Sequence, residues 1–138
     1  MSPPDLLFVY GTLRRGGSND IARIAPAARW HGAARVRGLL CDLGRYPALL
    51  LAADAGWVQG ELYAVPADAW AALDALEEPV TPRRPDGEYF KTTTGVELPD
   101  GSACEAWIYV ANPAVLDLSR VIAHGDWMLH AATRAQDK

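Results

Sequence analysis

Apolar residues lie along the chain in short runs separated by glycine, proline and polar residues. The first run, residues 6–10, is continuous and stops at Gly11, which is typical of a central strand buried on both faces. Residues 30–40 form an extended segment whose glycines allow a bulge or close packing. Trp57–Val65 alternates between two faces. These patterns predict three strands.

Helix signals are fewer. Pro-Ala-Asp at 66–68 supplies a helix start, residues 69–78 are rich in alanine and leucine, and Pro79 prevents continuation. A shorter helical turn should follow Ser-Asn-Asp at 18–20 and end before Pro26.

The second half of the chain carries a hairpin signal. Segments 89–98 and 103–110 flank Pro-Asp-Gly-Ser at 99–102, which predicts two strands joined by a tight turn. Residues 42–47 and 79–87 are interpreted as loops, and 112–130 as mixed apolar and turn residues before a polar tail. The fold class predicted is α+β: one compact domain, residues 1–138 with a core over about 6–130, built on a small mixed barrel-like sheet with a few short helices.

Composition narrows the class of partner. The 138 residues carry a formal net charge of −4 without basic runs, which argues against nucleic acid and anionic membrane surfaces and favours a small molecule. Cys41 and Cys104 have neither metal-ligand nor disulfide-framework spacing, so we expect inert thiols. No signal peptide and no apolar run of membrane length is seen, and a cytoplasmic protein is expected; the oligomeric state is left open.

Glu77 is the most informative polar residue. At 100° per residue it falls between Leu73 and Trp70, on the face expected to pack on the core, whereas Glu78 projects beyond Asp74 toward the solvated side. Glu77 also lies in the last turn of its helix. Burial and the helix dipole would both raise its pKa, as a general base near neutral pH requires. The alternative is a rim glutamate whose head reaches water or an arginine.

The loop after the first strand, "YGTLRRGG", allows two interpretations. Its glycines could merely permit a tight connection between strand and helix. Alternatively, its backbone N–H groups could hold an anion, with Arg14 or Arg15 nearby. It lacks the endings of a P-loop and of a dinucleotide fingerprint.

The histidines show no metal spacing and the serines no nucleophile elbow; Trp57, Trp107 and Tyr109 are expected to be core aromatics.

Seven segments together resemble one known family. They are "FVYGTLRRGGSN", "VRGLLCDLGRYPAL", "VQGELYAV", "AALDALEE", "EYFKTTTGVEL", "EAWIYV" and "IAHGDW", in order from about residue 8 to residue 127. The chain is similar to the gamma-glutamylcyclotransferase-like superfamily, which includes gamma-glutamylamine cyclotransferases. The pairing of "VYGTLRRG" with a glutamate that closes an "LDALE" helix carries most of the likeness.

The resemblance implies a fold, a reaction and a set of site residues. The fold is a compact α/β barrel. The reaction is an intramolecular aminolysis in which a γ-glutamyl amine or peptide yields 5-oxoproline and a free amine, with no metal or cofactor. It implies that Tyr10, Gly11, Thr12 and Leu13 hold the γ-glutamyl group and that Glu77 is the general acid and base. Tyr109 and Tyr89 are candidate hydroxyl partners of the substrate.

Two departures from the family pattern bear on specificity. Glu78-Pro79 follows the glutamate where family members commonly have glycine, and Asp20 stands where amine-type members often have histidine. The leaving group is therefore left open. A non-catalytic protein that binds a small carboxylate metabolite, and an amidohydrolase that releases glutamate, remain as alternatives.

Overall fold

The computed structural model describes residues 5–17, 20–42, 47–77, 89–111 and 120–136. Its strands are β1 (Asp5–Val9), β2 (Arg29–Asp42), β3 (Pro47–Leu51), β4 (Trp57–Val65), β5 (Tyr89–Glu97) and β6 (Ala103–Ala111). Its helices are α1 (Ile21–Ile24), α2 (Trp70–Glu77), which follows a 3-10 turn at Ala67–Ala69, and α3 (Trp127–Gln136).

The strands form a small barrel. The sheet order is β3-β2-β4-β1-β6-β5, and a further pairing of β2 with β5 closes five of the strands on themselves, leaving β3 outside the ring. Neighbouring strands are antiparallel except β1 and β6, which run parallel with Leu7 opposite Trp107. β1 therefore lies between β4 and β6 with both edges paired, as a continuous apolar run requires.

Two apolar clusters follow from the alternation of side chains across the barrel wall. The inner cluster includes Phe8, Val36, Leu62 and Ile108 and draws residues from all five strands of the barrel. The outer cluster lies where α1 and α2 cover β1, β4 and β6. Its buried members are Leu7, Val9, Leu13, Ile21, Ala25, Tyr63, Val65, Leu73 and Tyr109. The outer cluster matters for function because it unites a loop, a helix and a strand that are distant in sequence.

Most predicted elements are confirmed. The three N-terminal strand segments correspond to β1, β2 and β4, with a bulge between Trp30 and Gly32. The hairpin corresponds to β5 and β6, and Gly101 has the positive φ of 86° that its turn requires. The long helix corresponds to the 3-10 turn and α2. The predicted loop 79–87, positions 43–46 of the loop 42–47, and Ser18 and Asn19 lie outside the described residues.

Three expectations need correction. β3 was not predicted, and α3 replaces the turn-rich end expected over 127–130. Trp57 and Trp107 are only half-buried rather than core aromatics, because both lie on the outer wall of the barrel against cationic side chains. Asp42 and Pro47, expected in a loop, pair with each other as the facing ends of β2 and β3.

Neither Cys41 nor Cys104 forms a disulfide. Cys41 is fully buried and Cys104 is half-buried, where burial raises the pKa of its thiol.

Within the described ranges, no helix has both the length and the apolar composition needed to cross a membrane.

Candidate functional site

The loop that leaves β1 is attached to the barrel at its first residue. The buried Tyr10 hydroxyl donates a hydrogen bond to the Tyr109 carbonyl of β6 at 2.5 Å. Gly11 packs against Pro47 so closely that an added Cβ would lie 2.6 Å from the proline Cγ, so no larger residue fits without movement. Leu13 is buried in the outer cluster. The segment from Tyr10 to Leu13 is thus tied to β6, to β3 and to the core.

The second half of the loop uses its own amides internally. Arg14 N–H donates to the Gly11 carbonyl at 3.0 Å, and Gly17 N–H donates to the Arg14 carbonyl at 2.8 Å. Gly16 N–H donates to the Asp20 carboxylate at 2.9 Å. Among the described residues, the amides of Gly11 and Leu13 show no such acceptor. Those two N–H groups are therefore the candidate donors for a ligand.

Glu61 lies beneath the loop and was not singled out from the sequence. Its carboxylate, on a residue only 7% exposed, accepts hydrogen bonds from Arg14 Nε at 3.1 Å, Arg15 N–H at 2.8 Å and the Tyr63 hydroxyl at 3.0 Å. Burial, and then the negative charge of Glu61, raises the pKa of Tyr63 well above its usual range. The signal was present in the sequence, since the alternation of β4 places Glu61 on the same face as Tyr63 and Val65.

Arg14 and Arg15 are both engaged within the protein. Arg14 Nη1 also binds Asp126 Oδ1 at 2.8 Å, so its guanidinium joins two carboxylates and its side chain is only 14% exposed. The Arg15 guanidinium lies 4.2 Å from the centre of the Trp30 ring, while its backbone binds Glu61. Arg14, expected near a loop that holds an anion through its backbone N–H groups, has its guanidinium bound to Glu61 and Asp126.

Glu77 is the last residue of α2. Its side chain lies outside the described part of the structure, so its role stays a prediction. Leu73, one helical turn earlier, is fully buried in the outer cluster together with Leu13 of the loop and Tyr109 of β6. Positions four apart share a helix face, and the prediction that Glu77 faces the core rests on this spacing from Leu73.

Asp74 connects α2 to the barrel wall. Its Oδ1 accepts a hydrogen bond from the Tyr109 hydroxyl at 2.5 Å and lies 3.3 Å from Lys91 Nζ. The Lys91 ammonium also lies 4.0 Å from the Trp70 ring centre and 5.3 Å from that of Trp107. Tyr109, the candidate substrate partner, thus bonds Asp74 through its hydroxyl and Tyr10 through its carbonyl. Tyr89 pairs with Ala111 through its backbone, and its side chain lies outside the described residues.

One open cleft lies elsewhere on the described surface. It has a volume of about 480 Å³ and is lined mainly by β5 and by the ends of β3 and β4 with their connection, and its lining residues include Arg37, Trp57 and Glu97. None of the residues expected to bind substrate lines it. The loop and α2 stay the candidate site, because Glu61, Asp74 and Tyr109 make their described hydrogen bonds there.

Comparison with known proteins agrees with this fold. Residues 7–129 match the family described as "Gamma-glutamyl cyclotransferase, AIG2-like", so the chain belongs to that family. A relative from Vibrio cholerae, named "Putative gamma-glutamylcyclotransferase", is 37% identical over 123 residues, which is 88% of this chain and 94% of the relative.

Solved structures share the architecture. YkqA from Bacillus subtilis is 28% identical with a TM-score of 0.74; the match covers 98% of this chain but only 43% of YkqA. An AIG2-like protein from Mus musculus is 23% identical with a TM-score of 0.69, over 91% of this chain and 89% of the mouse protein. The barrel with its short helices is therefore the fold of this family.

Proposed function

We propose that the protein is a γ-glutamyl cyclotransferase that converts a γ-glutamyl amine or γ-glutamyl peptide to 5-oxoproline and a free amine. The observation that carries the proposal is the shared packing of Leu13, Leu73 and Tyr109 in the outer cluster. Leu13 of the loop and Leu73 of α2 belong to one buried cluster, and Glu77 ends the same helix four residues later. Membership of the family supports the same reaction class.

The chemistry needs a base, donors for developing charge and a folded substrate. The substrate α-amine attacks its own γ-carbonyl carbon, so a C–N bond forms within the glutamyl group and the amide bond to the leaving amine breaks. Glu77 takes a proton from the attacking amine and returns it to the leaving nitrogen. The amides of Gly11 and Leu13 supply donors for the substrate carboxylate or the developing oxyanion. Closing the five-membered ring is favoured by holding the chain in near-attack geometry.

The test is the detection of 5-oxoproline by mass spectrometry after incubation with a panel of γ-glutamyl amines and dipeptides. Wild-type protein is expected to form product on at least one member of the panel. The Glu77→Gln variant keeps the size of the side chain but cannot take a proton. We expect the rate to fall by about 10²–10⁴-fold, the range that general acid–base catalysis contributes.

Glu78→Gln is the matched control, since it removes the same charge one position along the chain and is expected to keep near-wild-type turnover. Equal loss in both variants would contradict the role of Glu77. Release of free glutamate in place of 5-oxoproline would identify water as the nucleophile and a hydrolase. Absence of any product would reject turnover and favour a binding protein, which ligand-induced stabilisation would then reveal.

A further inference from the structure

A buried charged network underlies the loop and extends to the C-terminal helix. Glu61 on β4 accepts hydrogen bonds from the Arg14 side chain and from the Arg15 amide. The Arg14 guanidinium also donates to Asp126, which directly precedes α3. The same Asp126 oxygen also accepts the Leu129 N–H at 3.2 Å and so caps the first turn of α3. Residues separated by 46 and 112 positions in the sequence therefore meet at Arg14 and Arg15.

Stability alone is a poor explanation for this network. A buried ion pair loses hydration on both partners, and replacement by apolar residues is often neutral or stabilising. The face of β4 that carries Glu61 also carries Tyr63 and Val65, which are buried apolar positions of the outer cluster. A carboxylate differs from an apolar side chain because its two oxygens accept hydrogen bonds in defined directions. At Glu61 they hold two donors of the loop, Arg14 Nε and the Arg15 amide.

We infer that Glu61 is a positioning residue, which holds the loop so that the amides of Gly11 and Leu13 face the substrate. The inference rests on the proposed function. The loop is held at two points, by Tyr10 on β6 and by Arg14 and Arg15 on Glu61, and the segment between these points is short. Arg14 accordingly does not bind substrate. Its guanidinium ties the loop to β4 and to α3, and through Asp126 it makes the start of α3 part of the support.

Two substitutions of Glu61 separate the effect of its hydrogen-bond acceptors from the effect of its negative charge. Glu61→Gln keeps an oxygen for the Arg15 amide but presents an amide group to Arg14, whereas Glu61→Leu removes both acceptors. Glu97→Gln is the matched control, because Glu97 forms an ion pair with Arg35 at 2.7 Å on an exposed part of the barrel. Circular dichroism establishes that each variant is folded before kinetics are measured.

We expect Glu61→Leu to lower kcat/KM for 5-oxoproline release by about 100-fold, as small displacements of a substrate-holding group do, and Glu61→Gln to lower it by about tenfold, with Glu97→Gln within about twofold of wild type. NMR hydrogen exchange supplies a readout that needs no turnover. The Arg15 amide should be protected in wild type and in Glu61→Gln, and should exchange faster in Glu61→Leu.

Three results would overturn the inference: unchanged kcat/KM in folded Glu61→Leu, an equal loss in Glu97→Gln, or an Arg15 amide whose exchange does not depend on residue 61. If Glu61→Leu does not fold, Glu61→Gln and Arg14→Met decide the question, since each is expected to lose activity more than the control does. If wild type forms no product, the proposed function fails, and the exchange data alone then support or overturn the fixing of the loop by Glu61.

Discussion

The loop side of the barrel and the β5–β6 hairpin side share two structural features, an arginine–glutamate pair and a glycine at positive φ, but the surroundings of these features differ. Each has an arginine–glutamate pair, Arg14–Glu61 in one case and Arg35–Glu97 in the other. The side chains of the first pair are 14% and 9% exposed, and those of the second pair are 40% and 33% exposed. The first pair is joined by further donors, whereas Arg35 also stacks on the Trp57 ring at 4.0 Å.

A glycine at positive φ is the second feature that the two sides share. Gly125, before α3, has φ 71°, and an added Cβ would lie 2.1 Å from the Trp57 carbonyl oxygen. Gly101, in the hairpin turn, has φ 86° with open space around it. The lesson is that residue type alone does not predict the energetic role. The surroundings decide whether a pair or a glycine holds two parts of the molecule together or only shapes a turn.

The largest expected effect contrasts the two glutamates. Glu61→Leu should lower the free energy of unfolding by about 3–5 kcal/mol, because it removes one of the two carboxylate partners of a guanidinium that is largely shielded from water. Glu97→Leu should cost about 1 kcal/mol or less, because water screens an exposed pair. Urea denaturation followed by circular dichroism measures both. Similar losses in the two variants would mean that burial does not distinguish the pairs.

The next effect contrasts the two glycines. Gly125→Ala should cost about 3 kcal/mol or more, because the methyl group meets backbone that cannot move alone and the residue must also keep a positive φ. Gly101→Ala should cost about 1–2 kcal/mol, from the left-handed conformation alone. Thermal unfolding of the two variants under one buffer condition provides the comparison. An equal shift in Tm would show that the close contact at Gly125 relaxes freely.

The smallest effect concerns two aspartates whose carboxylates accept local hydrogen bonds, Asp20 before α1 and Asp100 in the hairpin turn. Asp20 accepts the Gly16 and Ala22 amides, and these bonds hold its pKa below the ordinary value of 3.8; Asp100 accepts bonds from the Ser102 hydroxyl and amide, with the same direction of shift. Such a carboxylate stabilises the fold fully above about pH 5, and this contribution is lost as pH falls through the folded-state pKa. Asp20→Ala should cost about 0.5–1 kcal/mol at neutral pH and less in acid.

Asp100→Ala serves as the control for the loop. Both variants should lose part of their stability difference from wild type as the pH is lowered. Only Asp20→Ala should speed hydrogen exchange at the Gly16 amide, which the Asp20 carboxylate accepts at 2.9 Å. Faster exchange at Gly16 in Asp100→Ala would show that the two turns are coupled rather than local.

The sequence predicted elements whose signals are local. β1 is recognised by a continuous apolar run, the hairpin by its turn residues, and α2 by helix formers between start and stop signals. β3 was missed because Pro47–Leu51 is a short apolar run, and periodicity alone does not distinguish a strand from a helix at that length. α3 was missed because Gly125-Asp126 was interpreted as a turn, although Asp126 also caps the helix that follows.

Prediction of the candidate site from the sequence is limited in the same way, because only local signals can be recognised. Glu77 and the loop were indicated by local arguments about helix face and glycine content, and their roles remain predictions. The support beneath the loop could not be predicted, because Arg14 meets Glu61 and Asp126 only after β4 and α3 have been placed. Nothing in the local sequence of Asp74 predicts its bond to Tyr109, 35 residues away. Contacts of this kind depend on the strand order rather than on any single segment.

The parallel pairing of β1 with β6 also governs how the chain can be assembled. Leu7 pairs with Trp107, so the wall of the barrel cannot be completed from the N-terminal half alone. During synthesis on a ribosome, β1 can pair with β4, but its other edge must wait until β6 has emerged. Contacts of such long sequence separation slow folding, because the entropy of closing the chain is lost before the contact forms. Until then β1 has an unpaired edge of backbone N–H and C=O groups, beside apolar side chains, to which a second nascent chain or a chaperone can bind.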